Sequence, residues 1–228
     1  MSVGSSFLAR YDKTSSPTFA AHSETRNSFE VRENEQGATV TLLRVNMPGA
    51  DFISFNHQLV KGMKDLTETR SSSLSDSDCD GISFVEHQGQ DGIVLAELKS
   101  RFSTQHIKKA YEQLVFSFAK LHAMLSLCSE YVIDDLMLHF VVSCKCFEND
   151  NQEEGVMNNL LKAESVDSDC FEAKFLRQLI KHHRLNIKIG EIASVYGLTL
   201  NPAVADKDIT LALQLTDTYA STSADYNI

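Results

Sequence analysis

Asp80-Gly81-Ile82-Ser83-Phe84-Val85-Glu86-His87-Gln88-Gly89-Gln90-Asp91-Gly92-Ile93-Val94-Leu95-Ala96-Glu97-Leu98-Lys99 consists of two apolar runs separated by a turn-rich stretch. Residues 80–86 and 93–99 read as strands, and 87–92 supplies a hairpin turn in which Asp91-Gly92 is the strongest local signal. Folding about Gly89 brings Asp80 close to Glu97 or Leu98 on the partner strand. A slip of one residue sends Asp80 to the other face. Glu97 and Lys99 stand two apart on a strand and so point to the same side. Neither is cheap to bury unless paired or bound to a metal. A hydrophobic strand that closes on Glu-x-Lys therefore reads as a site. The alternative is an ordinary ion pair at an exposed strand end, which contributes ~0–1 kcal/mol.

Downstream of this hairpin, Ser103 is an N-cap for a helix. Its apolar positions Ile107, Ala110, Tyr111, Leu114, Val115, Phe118, Leu121 and Leu125 form a broad stripe for packing on a sheet. Residues 136–147 read as a buried strand containing His139, a satisfied core histidine, and Asp134-Asp135 marks the turn before it. Upstream, residues 37–45 read as a strand bounded by Gly37 and Pro48. Helical spacing of Phe52, Ile53, Phe55, Leu59, Val60 and Met63 predicts a helix over 51–66, and 71–78 is a Ser/Asp loop. The first ~25 residues read as an irregular arm. Residues 148–170, with seven acids and one lysine, read as an acidic loop. An amphipathic helix over 171–184 follows, then a strand at 186–189 or 192–200 and another at 209–215, with a frayed tail. The order predicts one domain over 1–228: an α/β fold with a mixed central β-sheet and flanking helices.

The totals exclude several classes. A chain of 228 residues with 43% hydrophobic content and no tryptophan has the composition of an ordinary globular protein. No window approaches the ~20 apolar residues of a membrane span. Residues 1–7 lack a basic region followed by an apolar run, so the expected location is the cytoplasm. Five cysteines without a C-x-x-C pair read as free thiols rather than a zinc site. No phosphate loop, dinucleotide fingerprint or nucleophile elbow occurs. A net charge of −10 opposes unaided coating of nucleic acid, yet the charge is uneven. Lys174, Arg177, Lys181, Arg184 and Lys188 form a run without acids, which is either a phosphate-contacting element or a solvated helix face.

An aspartate opening a strand, then a turn, apolar residues ending in Glu-x-Lys, and an amphipathic helix carrying a glutamine together resemble the PD-(D/E)XK nuclease superfamily, with residues 51–147 as the matching core. Asp80 matches the aspartate, with Asp78 as the fallback; Glu97 and Lys99 match the Glu-x-Lys pair. Gln113 is similar to the glutamine of the exonuclease-like branch, where Ser117 takes the place of a tyrosine. The resemblance implies a restriction-endonuclease-like fold and a nuclease dependent on Mg²⁺ or Mn²⁺, acting on DNA before RNA. In chemical terms, Asp80, Glu97 and the Leu98 backbone carbonyl supply hard oxygen ligands. Lys99 orients the attacking water and neutralises developing charge, and Gln113 holds that water. The acidic remainder implies a homo-oligomer, and a protein partner that directs it, as in phage-defence or mobile-element effectors. The alternative is a catalytically inactive member of the same fold acting as an interaction or assembly module.

Overall fold

The computed structural model describes residues 2–11, 22–33, 37–56, 58–61 and 78–228. Its strands are β1 (His22–Arg32), β2 (Leu42–Asn56), β3 (Gly81–His87), β4 (Gln90–Lys99), β5 (Met137–Cys144), β6 (Arg184–Lys188), β7 (Asp208–Leu215) and β8 (Ser223–Asn227). Its helices are α1 (Val3–Tyr11), α2 (Gln58–Lys61), α3 (Thr104–Leu125), α4 (Asp150–Val166), α5 (Arg177–His182), α6 (Ile189–Val195) and α7 (Pro202–Ala205). The expected α/β class holds. An open, mixed eight-stranded sheet runs β1-β2-β3-β4-β5-β7-β6, with β8 added beside β2. β4, β5 and β7 run parallel, joined by helical crossovers, and the β1–β4 meander is antiparallel.

The central hairpin turns at Gln88-Gly89, with φ of 52° and 79°, the two left-handed residues that a type I′ turn needs. His87 opposes Gln90, and Asp91-Gly92 belong to β4 rather than to the turn. A β-carbon on Gly92 would lie 2.8 Å from Val85 Cγ1, so that glycine serves close packing within the sheet.

Both faces of β4 are covered, which is why its residues 92–98 are buried without alternation. On one face α1, α3 and α5 pack over Ile82, Phe84, Ile93, Leu95 and Phe140. On the other, the outer half of the β1–β2 ladder and β8 fold over Val94, Ala96, Leu98, Val141 and Ala212. That fold-over needs a bend. Arg26 pairs with Asp51 and Ser28 with Asn46, so four residues of β2 face a single residue of β1. Asn27 and Gly49 take left-handed φ of 69° and 84°, and the Gly49 N–H donates to Asn27 Oδ1 at 2.8 Å.

Several expectations give way here. β2 does not end at Pro48: the proline sits in the bulge, where no ladder hydrogen bond is required. Residues 51–56 are strand rather than helix, because covering both faces of β2 erases the alternation that distinguishes the two. Residues 58–61 are helical, and 62–66 lie outside the described residues, as does the Ser/Asp loop over 71–77. Within the expected arm, residues 3–11 form a helix whose Phe7 is sealed against Phe84 and Phe55; 12–21 lie outside the described residues.

The acidic segment is not a loop. Asn149 Oδ1 caps α4 by accepting the Gln152 N–H at 3.0 Å, and Asp150 and Glu153 favour its N-terminus. Of its residues only Leu160 is buried, so α4 has almost no apolar stripe to announce it. The helix expected over 171–184 stops at His183, whose φ of 61° terminates it, and Arg184 starts the edge strand β6. Of the two strand alternatives, 186–189 is largely met by β6, whereas Ile189–Val195 is helix rather than strand. The tail is not frayed: β8 pairs with β2, and Tyr226 is 2% exposed.

Candidate active site

Continuing the Gly81–Ala96 register by one residue sets Asp80 opposite Glu97. The Asp80 N–H donates to Glu97 Oε2 at 3.1 Å, and the Leu98 N–H donates to Asp80 Oδ2 at 2.7 Å. Ile93, Leu95, Glu97 and Lys99 share the β4 face that looks toward α3. Lys99 Nζ donates to Glu97 Oε1 and, at 2.9 Å, to Gln113 Oε1. Gln113 Nε2 donates to the Asp78 carbonyl oxygen at 3.0 Å. Asp80, Glu97, Lys99 and Gln113 are thus one hydrogen-bonded constellation. Gln113 has both ends of its amide engaged, linking Lys99 to the segment before β3. Leu98, expected as a carbonyl ligand, meets Asp80 through its N–H.

The electrostatics follow from burial. Glu97 is 1% exposed, and desolvation, then the neighbouring Asp80 carboxylate, push its carboxyl up to about 8; Lys99 pulls the other way. Ionising both carboxyls beside one ammonium would leave the cluster short of positive charge, so Glu97 keeps its proton to higher pH unless a cation joins the pair. Within the described residues, no three His, Cys, Asp or Glu side chains gather as they would around an ion held by protein groups alone. The donor set fits a hard cation that keeps most of its waters, the Mg²⁺ habit, because one or two carboxylates suffice for it.

Helix α3 carries two further participants that the sequence reading did not assign to the site. Ser117 Oγ accepts the Cys79 N–H at 2.8 Å, and Lys120 Nζ lies 2.5 Å from Asp78 Oδ1. The one available signal was that Gln113, Ser117 and Lys120 fall at helical spacing among apolar neighbours, a polar line within a buried face.

Two open clefts of about 380 Å³ each flank the constellation. One is lined by Lys99, Arg101, His106 and Lys109, with Glu33 beside them, at the start of α3. The other is lined by Asp80 and Gly81 against His22 and Arg32 of β1. A β-carbon on Gly81 would lie 2.6 Å from Val31 Cγ2, so only glycine lets β1 close over this side.

The C-terminal basic run is divided between elements and largely spent on local partners. Lys174 pairs with Asp169 at 3.2 Å, Arg177 with Glu164, and Lys188 with Asp208 at 3.0 Å. Arg184 covers the Tyr226 ring at 4.6 Å, and Lys181 is exposed on α5. Arg184 and Lys188 lie on β6, so the five do not form one helix face. All five cysteines are free, with Cys79, Cys128 and Cys144 buried.

No protein-family model, curated protein or solved structure matches this chain. Among the described residues no helix is long and apolar enough to cross a membrane.

Proposed function

We propose that this protein is a divalent-cation-dependent phosphodiesterase of the restriction-endonuclease-like kind, cutting nucleic acid and DNA before RNA. The observation that carries the reading is the pairing of Asp80 with Glu97 across the hairpin, with Lys99 and Gln113 bonded into the same cluster. Asp80 and Glu97 are the residues to hold Mg²⁺ or Mn²⁺, with the Leu98 carbonyl nearby. Bound there, such an ion supplies a charge clamp on a phosphate oxygen and an acidified water. Lys99 orients the nucleophilic water and offsets the negative charge that grows on the phosphate. Gln113 keeps Lys99 aimed. The cleft lined by Lys99, Arg101, His106 and Lys109 is the better route for a phosphodiester backbone than the C-terminal run because it opens beside the Asp80–Glu97 pair, although Lys109 is itself paired with Glu112 at 2.7 Å. The first turn of α3 contains no acid, so the positive end of its dipole adds to that cleft. With a net charge of −10, binding is weak in the isolated chain, which favours a homo-oligomer or a directing partner, as in a phage-defence effector.

Incubation with plasmid and single-stranded DNA in Mg²⁺ or Mn²⁺ tests this, with EDTA, Glu97→Ala and Lys99→Ala as controls. The expected result is cleavage by the wild type alone. Equal cleavage by Glu97→Ala would reject the site.

A second reading has its own support. Each of Asp80, Glu97, Lys99 and Gln113 has a hydrogen-bond partner in the constellation or the residues beside it, as in a structural network that needs no ion. On that reading the chain is an inactive member of the same fold serving as an assembly module, and the wild type shows no cleavage under any divalent condition.

A further inference from the structure

Helix α3 turns a line of polar residues inward. Gln113, Ser117 and Lys120 fall at i, i+4 and i+7 among buried apolar and aromatic neighbours. All three bond the same short segment. Gln113 Nε2 donates to the Asp78 carbonyl oxygen at 3.0 Å, and the Cys79 N–H donates to Ser117 Oγ at 2.8 Å. Lys120 Nζ donates to Asp78 Oδ1 at 2.5 Å. The next residue is Asp80, bonded to Glu97 and Leu98.

Core filling does not account for Lys120. Its side chain is 0% exposed, and an ammonium is among the costliest groups to desolvate. Leucine or methionine would fill the space, and replacing a buried ion pair by apolar residues is often neutral or stabilising. What the pair contributes is position. An ammonium fixed on a packed helix allows Asp78 one location, and Ser117 holds the following peptide. Cys79 is then fully buried, its thiol donating to the Gly81 carbonyl oxygen at 3.5 Å.

We infer that Lys120, assisted by Ser117, is a positioning residue that clamps segment 78–80 to α3 and thereby holds the Asp80 carboxylate against Glu97. The inference rests on the reading of Asp80 and Glu97 as carboxylates of a divalent-cation site. Lys120 acts through Asp78 and touches neither cation nor substrate. Supporting groups of this kind set the affinity of a metal site by fixing its ligands.

The experiment measures Mn²⁺ binding to the full chain by electron paramagnetic resonance, in the wild type and in Lys120→Met, Asp78→Asn, Ser117→Ala and Glu97→Ala. Thiol labelling of Cys79, located by mass spectrometry, runs in parallel, all well below each variant's melting temperature. Glu97→Ala should abolish the site. Lys120→Met should weaken Mn²⁺ binding by about tenfold or more. Asp78→Asn should do the same, the double variant should be no weaker than Lys120→Met, and Cys79 should label faster in each. Where cleavage is seen, kcat falls while KM for DNA holds. If Lys120→Met does not fold, Asp78→Asn and Ser117→Ala decide. Folded variants that bind Mn²⁺ as the wild type does would overturn the inference. If the wild type has no Mn²⁺ site sensitive to Glu97→Ala, the divalent reading fails and the link from Lys120 to a cation site falls with it. Cys79 labelling then decides the clamp alone: unchanged labelling overturns it, and faster labelling upholds it as a structural device.

Discussion

Gly81 and Val31 meet with no room for a methyl group: a β-carbon on Gly81 would stand 2.6 Å from Val31 Cγ2 and 2.9 Å from Cγ1. This contact lets β1 close over the second face of the sheet beside Asp80. Gly81→Ala should therefore destabilise the fold by about 1–3 kcal/mol through overpacking. In a Val31→Ala background the same substitution should cost much less, because the clashing methyls are gone. Urea denaturation of the four proteins measures the coupling; equal costs in both backgrounds would mean that β1 does not lie there.

Glu97 titrates near 8 in the folded chain against an ordinary value of 4.5. Between those values the folded state holds a proton that the unfolded state has released, so stability falls as pH rises through the window and levels off above it. Glu97→Gln should flatten the decline, and Mg²⁺ should counter it in the wild type if the carboxylates hold the ion. Denaturation midpoints from pH 5 to 9 decide; an unchanged slope in Glu97→Gln would refute the assignment.

His139 has the opposite sign. Burial, then the charge of Arg184, hold it down to about 4, and its Nδ1 lies 3.0 Å from the Tyr226 hydroxyl. Its contribution is complete above the unfolded value of ~6.5 and is lost as pH falls toward 4. Acidification should thus loosen β8 from the sheet. His139→Gln should reduce the loss between pH 6.5 and 4, read by the exchange of β8 amides. Where the windows of Glu97 and His139 overlap, the two slopes oppose each other in the wild type.

If the cleft beside Lys99 guides a phosphodiester backbone, Arg101→Ala should weaken single-stranded DNA binding and lower the salt slope by about 0.7. Arg177→Ala should leave both nearly unchanged, because that guanidinium is paired with Glu164. Anisotropy titrations at several salt concentrations, with Ca²⁺ in place of Mg²⁺, separate the two. The reverse order would return the role to the C-terminal run.

The hairpin was legible because every signal for it is local. The strongest-looking signal, Asp91-Gly92, lies in β4; the turn is set at Gln88-Gly89, and its register puts Asp80 opposite Glu97. The stripe on α3 was equally plain, and its eight predicted positions are all buried. The bulge at Asn27 and Gly49 was not legible, because Pro48 ends a strand in sequence terms and is tolerated only where the ladder is interrupted. Helix α4 was missed because it buries almost nothing, so its cap was the only cue.

The chain by itself determined the mixed α/β sheet, the hairpin, and the common face of Glu97 and Lys99, since turn chemistry and strand alternation act over a few residues. The packing of α3 on that hairpin brought Gln113 to Lys99. Tertiary structure alone decided that Lys120, forty-two residues from Asp78, would stand beneath the segment carrying Asp80. It also decided that β8 would complete the second face, with Tyr226 against His139, eighty-seven residues away. The physical reason is the same for both. A lysine in a helix and a tyrosine near a terminus are compatible with solvent until distant elements pack around them, and only that packing makes their burial and pairing obligatory.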